Sequence, residues 1–353
     1  MPDDFKLSCP TPLRKHDTIQ MAHGGGGRIM QRLIDSLFVA AFSGTKDASA
    51  REPLHDSTVL DANDTRVAFT TDTFVVNPLF FPGGDIGKLA VCGTVNDLAM
   101  AGADPKWLSA GFVLEEGFPI ESLERIVESM QKTADAAGVQ IVTGDTKVVD
   151  RGKGDGVFIN TAGIGLVPDG IEISPTRVRA GDKVLVSGDL GRHGIAIMSV
   201  REGLQFEGAL ESDCDCLGDL VAAMREVGAE LHCLRDLTRG GLSAALNEIA
   251  SAAQVGIELK ESAVPVAPQV AGACEMLGLD PFYVANEGRL VAIVSADAAE
   301  SVLEIMQNHR ASPQPAIVGT VTSDHPGCVE LHGDLGGSRI LDLLSGEQMP
   351  RIC

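Results

Sequence analysis

Two α/β domains in tandem are predicted for this chain, and three observations predict them. Strand-like and helix-like stretches alternate through both halves, which is the pattern of sheet-and-helix layers. The alternation breaks near Ser174-Pro175-Thr176 and restarts at Asp182-Lys183-Val184-Leu185-Val186. The 353 residues, 44% of them apolar, are enough for two cores. The expected division is an N-terminal arm (1–22), a first domain (23–174), a second domain (175–344) and a mobile tail (345–353).

The arm carries Pro2, Pro10 and Pro12 and reads as irregular. His23-Gly24-Gly25-Gly26-Gly27-Arg28 follows, either a flap whose N–H groups close over phosphates or a plain linker. No Gly-Lys-Ser/Thr follows, so it is not a Walker loop. Ile29 to Phe42 has helical spacing. Val67–Val76 reads as a strand, Lys88–Ala101 as a helix stopped by Gly102-Ala103-Asp104-Pro105, and Trp107–Leu114 as a strand. Ile120–Ala137 is an amphipathic helix; Val139–Val149 and Val157–Val167 are strands. In the second half, helices are expected at His193–Leu204, Leu217–Gly228 and Asp297–Asn308, with another after Arg235-Asp236-Leu237-Thr238-Arg239-Gly240-Gly241. Strands are expected at Arg289–Ser295, Ala316–Val321 and Cys328–Leu331.

Composition excludes several functions. With 28 Lys+Arg against 49 Asp+Glu, the net charge is −21, and such a body repels nucleic acid. An anionic nucleotide would need metal ions to reverse the local sign. No apolar run approaches the ~20 residues that span a bilayer, and Met1–Gln20 lacks the apolar core of a signal peptide. Eight scattered cysteines without zinc spacing suggest a reduced, cytoplasmic protein with no structural metal. Cys92, Cys233 and Cys274 read as core residues, and Cys214-Asp215-Cys216 as a solvent-facing loop. His193, in a Gly-Arg-His-Gly turn, reads as structural.

The last stretch, Ser345 to Cys353, is polar, aperiodic and stiffened by Pro350, so it reads as a leash. Fully extended it would reach roughly 30 Å, at ~3.3–3.6 Å per residue. It would carry the Cys353 thiol to a pocket or a partner; taken alone, it reads first as a frayed terminus that ends in cysteine. Asp56, Asp72, Asp97 and Asp145 each sit at an element end or beside glycine. Asp72 and Asp145, among small and β-branched residues, look interior, where clustered carboxylates need cations such as Mg²⁺. Caps and turns are the alternative for aspartates at strand ends.

Asp56-Ser57-Thr58-Val59, Thr71-Asp72, Asn96-Asp97-Leu98-Ala99-Met100-Ala101-Gly102-Ala103 and Gly144-Asp145-Thr146-Lys147 resemble the four acidic motifs of the aminoimidazole ribonucleotide synthetase (PurM-like) superfamily. Asp236-Leu237-Thr238-Arg239-Gly240-Gly241 resembles its C-terminal glycine-rich motif. The run Thr70–Pro105, the motif Thr143–Val149 and the ending Pro350-Arg351-Ile352-Cys353 resemble its hydrogenase-maturation carbamoyl dehydratase branch, HypE. The resemblance covers nearly everything beyond residue 20.

That resemblance implies a two-domain PurM-like fold whose N-terminal half-barrel sheet pairs across a homodimer. It implies ATP and Mg²⁺ in the nearby cleft. Asp56, Asp72, Asp97, Asp145 and Asp236 would be metal ligands, and Thr71, Asp72, Asn96, Asp97 and Asp145 would bind nucleotide. A HypF-type transferase would load a carbamoyl group onto Cys353. ATP-dependent dehydration would make a thiocyanate, and a HypC–HypD-type scaffold would take the cyanide for the iron of a [NiFe]-hydrogenase. Glu287 would be the base and Lys147 would orient the carbamoyl oxygen or the γ-phosphate. Glu287 as a turn cap and Lys147 as a counter-charge are the plainer roles. The alternatives are a small-molecule kinase or synthetase of the same superfamily, of selenophosphate or thiamine-phosphate type, and a non-catalytic nucleotide-binding carrier.

Overall fold

The structure is a computed structural model that describes residues 17–42, 54–204, 210–346 and 349–353. Most of the N-terminal arm, with its prolines, and Glu347 and Gln348 of the tail lie outside the described residues.

The first half runs through helices α1 (Arg28–Leu33) and α2 (Ala40–Phe42), then β1 (Thr58–Ala62), β2 (Thr65–Phe74), the short ribbon β3 (Phe80–Phe81) and β4 (Gly84–Asp85), α3 (Ile86–Met100), β5 (Asp104–Glu115), α4 (Ile120–Ala136), β6 (Gln140–Val149) and β7 (Val157–Val167). Its sheet has the order β1-β2-β7-β5-β6, antiparallel except for the β5–β6 pair. The second half contains β8 (Lys183–Val186), α5 (Arg192–Glu202), α6 (Gly218–Met224), β9 (Leu231–Asp236), α7 (Gly241–Ala253), β10 (Gly256–Lys260), α8 (Pro268–Leu277), β11 (Leu290–Val294), α9 (Ala299–Gln307), β12 (Ala316–Thr322), β13 (Val329–His332) and β14 (Ser338–Ile340). Its strands order as β14-β13-β10-β12-β8-β11-β9.

Helix α3 is the axis of the first half. Asp85 caps it, accepting from the N–H groups of Gly87 (2.7 Å) and Lys88 (3.1 Å), which satisfies two otherwise orphaned donors. Nearly all its side chains are small or apolar and buried, so it has no wet face and lies between the sheet and the second half. The amphipathic α4 packs on it through Ile126, Met130 and Ala134. Strands β2 and β7 alternate buried and open positions, so the sheet keeps one face for the core and one outside.

Four expectations need correction. Ile29–Phe42 is not one α-helix: residues Ile34–Val39 form a π-turn within it. The helix expected to reach Gly228 is α-helical only to Met224; it tightens to 3₁₀ turns from Arg225, and Gly228 takes a non-helical backbone (φ 61°). The glycine run before α1 packs on the second half, not the first: Arg28 N–H bonds Leu344 O at 2.9 Å and Arg28 pairs with Asp342. Last, the tail is not a free leash where it is described. Ile352 and Cys353 are buried in the core shared by α3, α5 and the first sheet.

Candidate functional site

Three carboxylates converge where the two halves meet. Asp56 precedes β1, Asp97 projects from α3, and Asp236 ends β9; one oxygen from each lies within 4.8 Å of the others. The Thr70 hydroxyl donates to Asp97 Oδ2 (2.8 Å). Burial first, and the neighbouring aspartates second, hold Asp97 and Asp236 well above the usual carboxylate range. Burial also raises Asp56, although Arg235 at 3.0 Å opposes it. Arg235 is itself shared with Glu248. One guanidinium cannot neutralise this set, and Asp56 Oδ2 is buried without a hydrogen-bond partner. All-oxygen ligands with an orphaned acceptor fit a hard divalent cation such as Mg²⁺.

The tail enters the same cleft as an irregular segment beside the end of β2, turning at Arg351 (φ 52°). Val75 N–H donates to Cys353 O (3.0 Å) and Asn77 N–H to Arg351 O (3.3 Å). Arg201 donates to the carbonyls of Pro350 and Arg351, and Arg351 pairs with Asp155 and donates to Val75 O (3.0 Å). His193 Nε2 lies 2.7 Å from Ile352 O and its Nδ1 lies 2.8 Å from Ser212 Oγ. Burial keeps this imidazole neutral, so Nε2–H donates to the carbonyl and Nδ1 accepts from the serine. Burying Ile352 contributes about 2 kcal/mol. Each neutral hydrogen bond adds about 1 kcal/mol and each charged one about 1.5–3. Ordering each tail residue costs about 1–2 kcal/mol.

Docking places the Cys353 thiol among charges. Burial pushes it up to about 12; Arg239 opposes that, and Glu287, Asp72 and Asp236 add to it. Cys353 is in turn the largest influence on Arg239, ahead of Asp72 and Glu287. Glu287 is almost wholly buried, its Oε1 has no hydrogen-bond partner, and burial and then Cys214 hold it well above the usual range. It sits on a tight turn. Asp213 accepts from the N–H groups of Glu287 (3.2 Å) and Gly288 (3.0 Å), and a Cβ on Gly288 would lie 1.9 Å from Asp213 O. Gly241 is equally constrained beside Arg239, with φ 59° and the carbonyls of Phe282 and Val284 against it.

The expected site residues divide into two groups. Asp56, Asp72, Asp97, Asp236, Glu287 and Cys353 come together. Asp145 does not: it is exposed on the edge strand β6, where the Lys147 ammonium at 2.7 Å, not a metal, lowers its pKa. Its small neighbours suggested an interior only because an unpaired edge strand carries the same residue types as a buried one. Thr71 is exposed and bonds Thr161 O. Asn96 is buried and fully committed: it accepts from Leu217 N–H (2.7 Å) and donates to Asp215 O (3.1 Å) and Glu287 O (3.4 Å). It therefore fastens the Glu287 turn to α3.

Sequence reasoning missed Arg235, Arg239, Arg201 and Asp213, and set His193 aside. The Asp236–Gly241 motif contains Arg239, so that one was within reach. The Cys214–Cys216 loop is also corrected: Cys214 is buried, Cys216 half-buried, and Cys92 Sγ lies 3.1 Å from Cys216 Sγ.

Comparison with known proteins places this geometry. Residues 54–167 match the AIR synthase related protein N-terminal domain and residues 179–331 its C-terminal domain. The chain is 51% identical to the carbamoyl dehydratase HypE of Cupriavidus necator, over the whole of both chains. It is 46% identical to a chain in a crystal structure of a HypE–HypF complex, with a TM-score of 0.82, covering 88% of this chain and 99% of that one. A crystal structure of HypE in complex with ATP is 45% identical, with a TM-score of 0.80, covering 95% of this chain and all of that one. With both domain models matched in order and half the residues identical end to end, the chain belongs to the AIR synthase related family and, within it, to the HypE carbamoyl dehydratases of hydrogenase maturation.

Proposed function

We propose that this carbamoyl dehydratase acts on an S-carboxamide carried by its own Cys353. The observation that carries the proposal is the docked tail, which sets the terminal sulfur beside Glu287 and Arg239, next to the aspartate trio. A thiol held at about 12 is a poor nucleophile, so the tail must be loaded outside the cleft and return with its cargo. A HypF-type carbamoyltransferase is the natural loader, since one relative has been crystallised with HypF.

ATP serves as co-substrate, as the ATP-bound relative supports. The amide oxygen attacks the γ-phosphorus and ADP leaves. The oxygen, now a phosphate ester, departs as phosphate while the carbon–nitrogen bond becomes a nitrile. Two protons leave the nitrogen and end on phosphate: R–S–C(O)NH₂ + ATP gives R–S–CN + ADP + phosphate. Glu287 takes these protons. An ordinary carboxylate is too weak for that, and burial supplies the missing basicity. Arg239 offsets charge on the departing oxygen. Asp56, Asp97 and Asp236, with Asp72 beside them, would hold Mg²⁺, which neutralises charge on the phosphates when bound.

Asp145 and Lys147 act from β6 once a second copy covers it. Phe69, Ile164 and Trp107 make an exposed apolar row across three paired strands, and Val142 and Val148 are open on β6. Such a row on a regular sheet fits a homodimer. The nitrile then passes to a HypC–HypD-type iron scaffold in the cytoplasm.

The test is mass spectrometry of the C-terminal peptide after incubation with carbamoyl phosphate, ATP, Mg²⁺ and the transferase. It should first gain a carbamoyl group and then lose water. A carbamoyl adduct that persists despite ATP turnover would overturn the proposal.

A further inference from the structure

Behind the active site, α3 and the loop before α6 bring two free thiols together. Cys92 lies inside α3 with no exposure, and Cys216 Sγ is 3.1 Å from its sulfur. Cys214 is a third neighbour of Cys92, but it is buried. Cys216 alone of the three reaches outward, into the wall of a cavity of about 510 Å³. Lys88, Lys106, Lys132 and Arg310 also line that cavity, with Asp215 and Asp219 among the acids. The three sulfurs do not close around one ion; among the described residues only the aspartate trio does. A disulfide needs about 2.05 Å between sulfurs, so a shift of roughly 1 Å makes the bond.

The loop that would shift is tied to catalysis. Asp213, three residues before Cys216, holds the N–H groups of His193, Glu287 and Gly288. Asn96 and Asp97, on the helix that carries Cys92, reach the Glu287 turn and the aspartate trio. A bond between the sulfurs would fix α3 to the loop that positions both the base and the tail's histidine.

We propose that Cys92 and Cys216 form a thiol–disulfide switch, entered from this cavity by a small anionic disulfide, that arrests dehydration while it is closed. The Cys216 thiolate attacks one sulfur of the disulfide R–S–S–R and R–S⁻ leaves. Cys92 then attacks the Cys216 sulfur of the mixed disulfide and releases the second R–S⁻. The protein loses two thiol protons and two electrons, and the small disulfide is reduced to two thiols. The lysines lining the cavity favour an anionic reagent.

The reduced full chain is equilibrated across ratios of glutathione disulfide to glutathione, alkylated and peptide-mapped, and dehydration is measured in parallel. The expected result is a joined Cys92–Cys216 peptide whose yield tracks a tenfold or greater loss of rate, with both reversed by dithiothreitol. Cys216→Ser should keep the starting rate and resist oxidation. Cys92→Ser should trap glutathione on Cys216. No joined peptide at any ratio, or a joined protein of full rate, overturns the switch. Loss of rate that follows glutathione on Cys353 instead also overturns it. The joined peptide is read by mass, so its presence stands apart from the tail chemistry proposed above.

Discussion

The aspartate trio and the Asp145–Lys147 pair use the same residue types in opposite surroundings. Burial and mutual repulsion raise the carboxyls of Asp97 and Asp236, while a neighbouring lysine lowers that of exposed Asp145. The first set is complete within one chain and short of positive charge. The second is already ionised, solvated and on an open edge. The difference teaches that one copy brings together the carboxylates of the proposed cation site, whereas Asp145 and Lys147 could join it only across the proposed dimer.

Five changes would break or sharpen that contrast. Cys353→Ala should abolish product completely while calorimetric nucleotide binding is retained; residual thiocyanate would remove the tail from the chemistry. Glu287→Gln should cost about 10²- to 10⁴-fold in rate at constant nucleotide affinity. The wild-type rate should climb with pH through the raised pKa of Glu287, because only the ionised base accepts a proton, and the Gln variant should lose that limb. Asp97→Asn should remove most Mg²⁺-dependent stabilisation in thermal melts. Asp97 and Asp236 have folded pKa values above their unfolded ones, so their contribution is present at low pH and lost as pH rises through the folded values. Metal-free melting temperatures should thus fall with rising pH, and the increment from Mg²⁺ should grow; a flat increment would contradict the cation site. Val148→Glu on β6 should shift sedimentation from dimer to monomer and lower the rate about tenfold or more, without unfolding the chain. Lys147→Ala should leave stability within about 0.5 kcal/mol, as for other exposed positions. Its rate defect should appear only where dimers form, which a mixing experiment with Glu287→Gln protein reads directly.

Much of the fold was legible because its signals are local. Period-two runs gave β7 to the residue, and Gly102-Ala103-Asp104-Pro105 ended α3 within a residue of its place. The acidic motifs gave Asp56 and Asp97, and the glycine-rich motif Asp236, by resemblance, whereas their convergence required the two halves to meet. The tail's dock was not legible. Arg201 and Pro350, or His193 and Ile352, are partners separated by some 150 residues, and nothing in either stretch announces the other. Asp145 shows the converse failure, since edge and interior strands are built from one vocabulary. The Cys92–Cys216 contact escaped because one thiol belongs to a helix interior and the other to a loop.

The cleft holds its guest by the handle and leaves the load unread. Arg201, His193, Val75 and Asn77 all grip main-chain carbonyls, and none of these four touches the sulfur's substituent. On the proposed chemistry, a bare thiol, a carboxamide and a nitrile would therefore present the same address in turn. Such a berth can receive raw material and release finished product without changing its lock, which leaves direction to ATP consumption and to whichever partner waits outside.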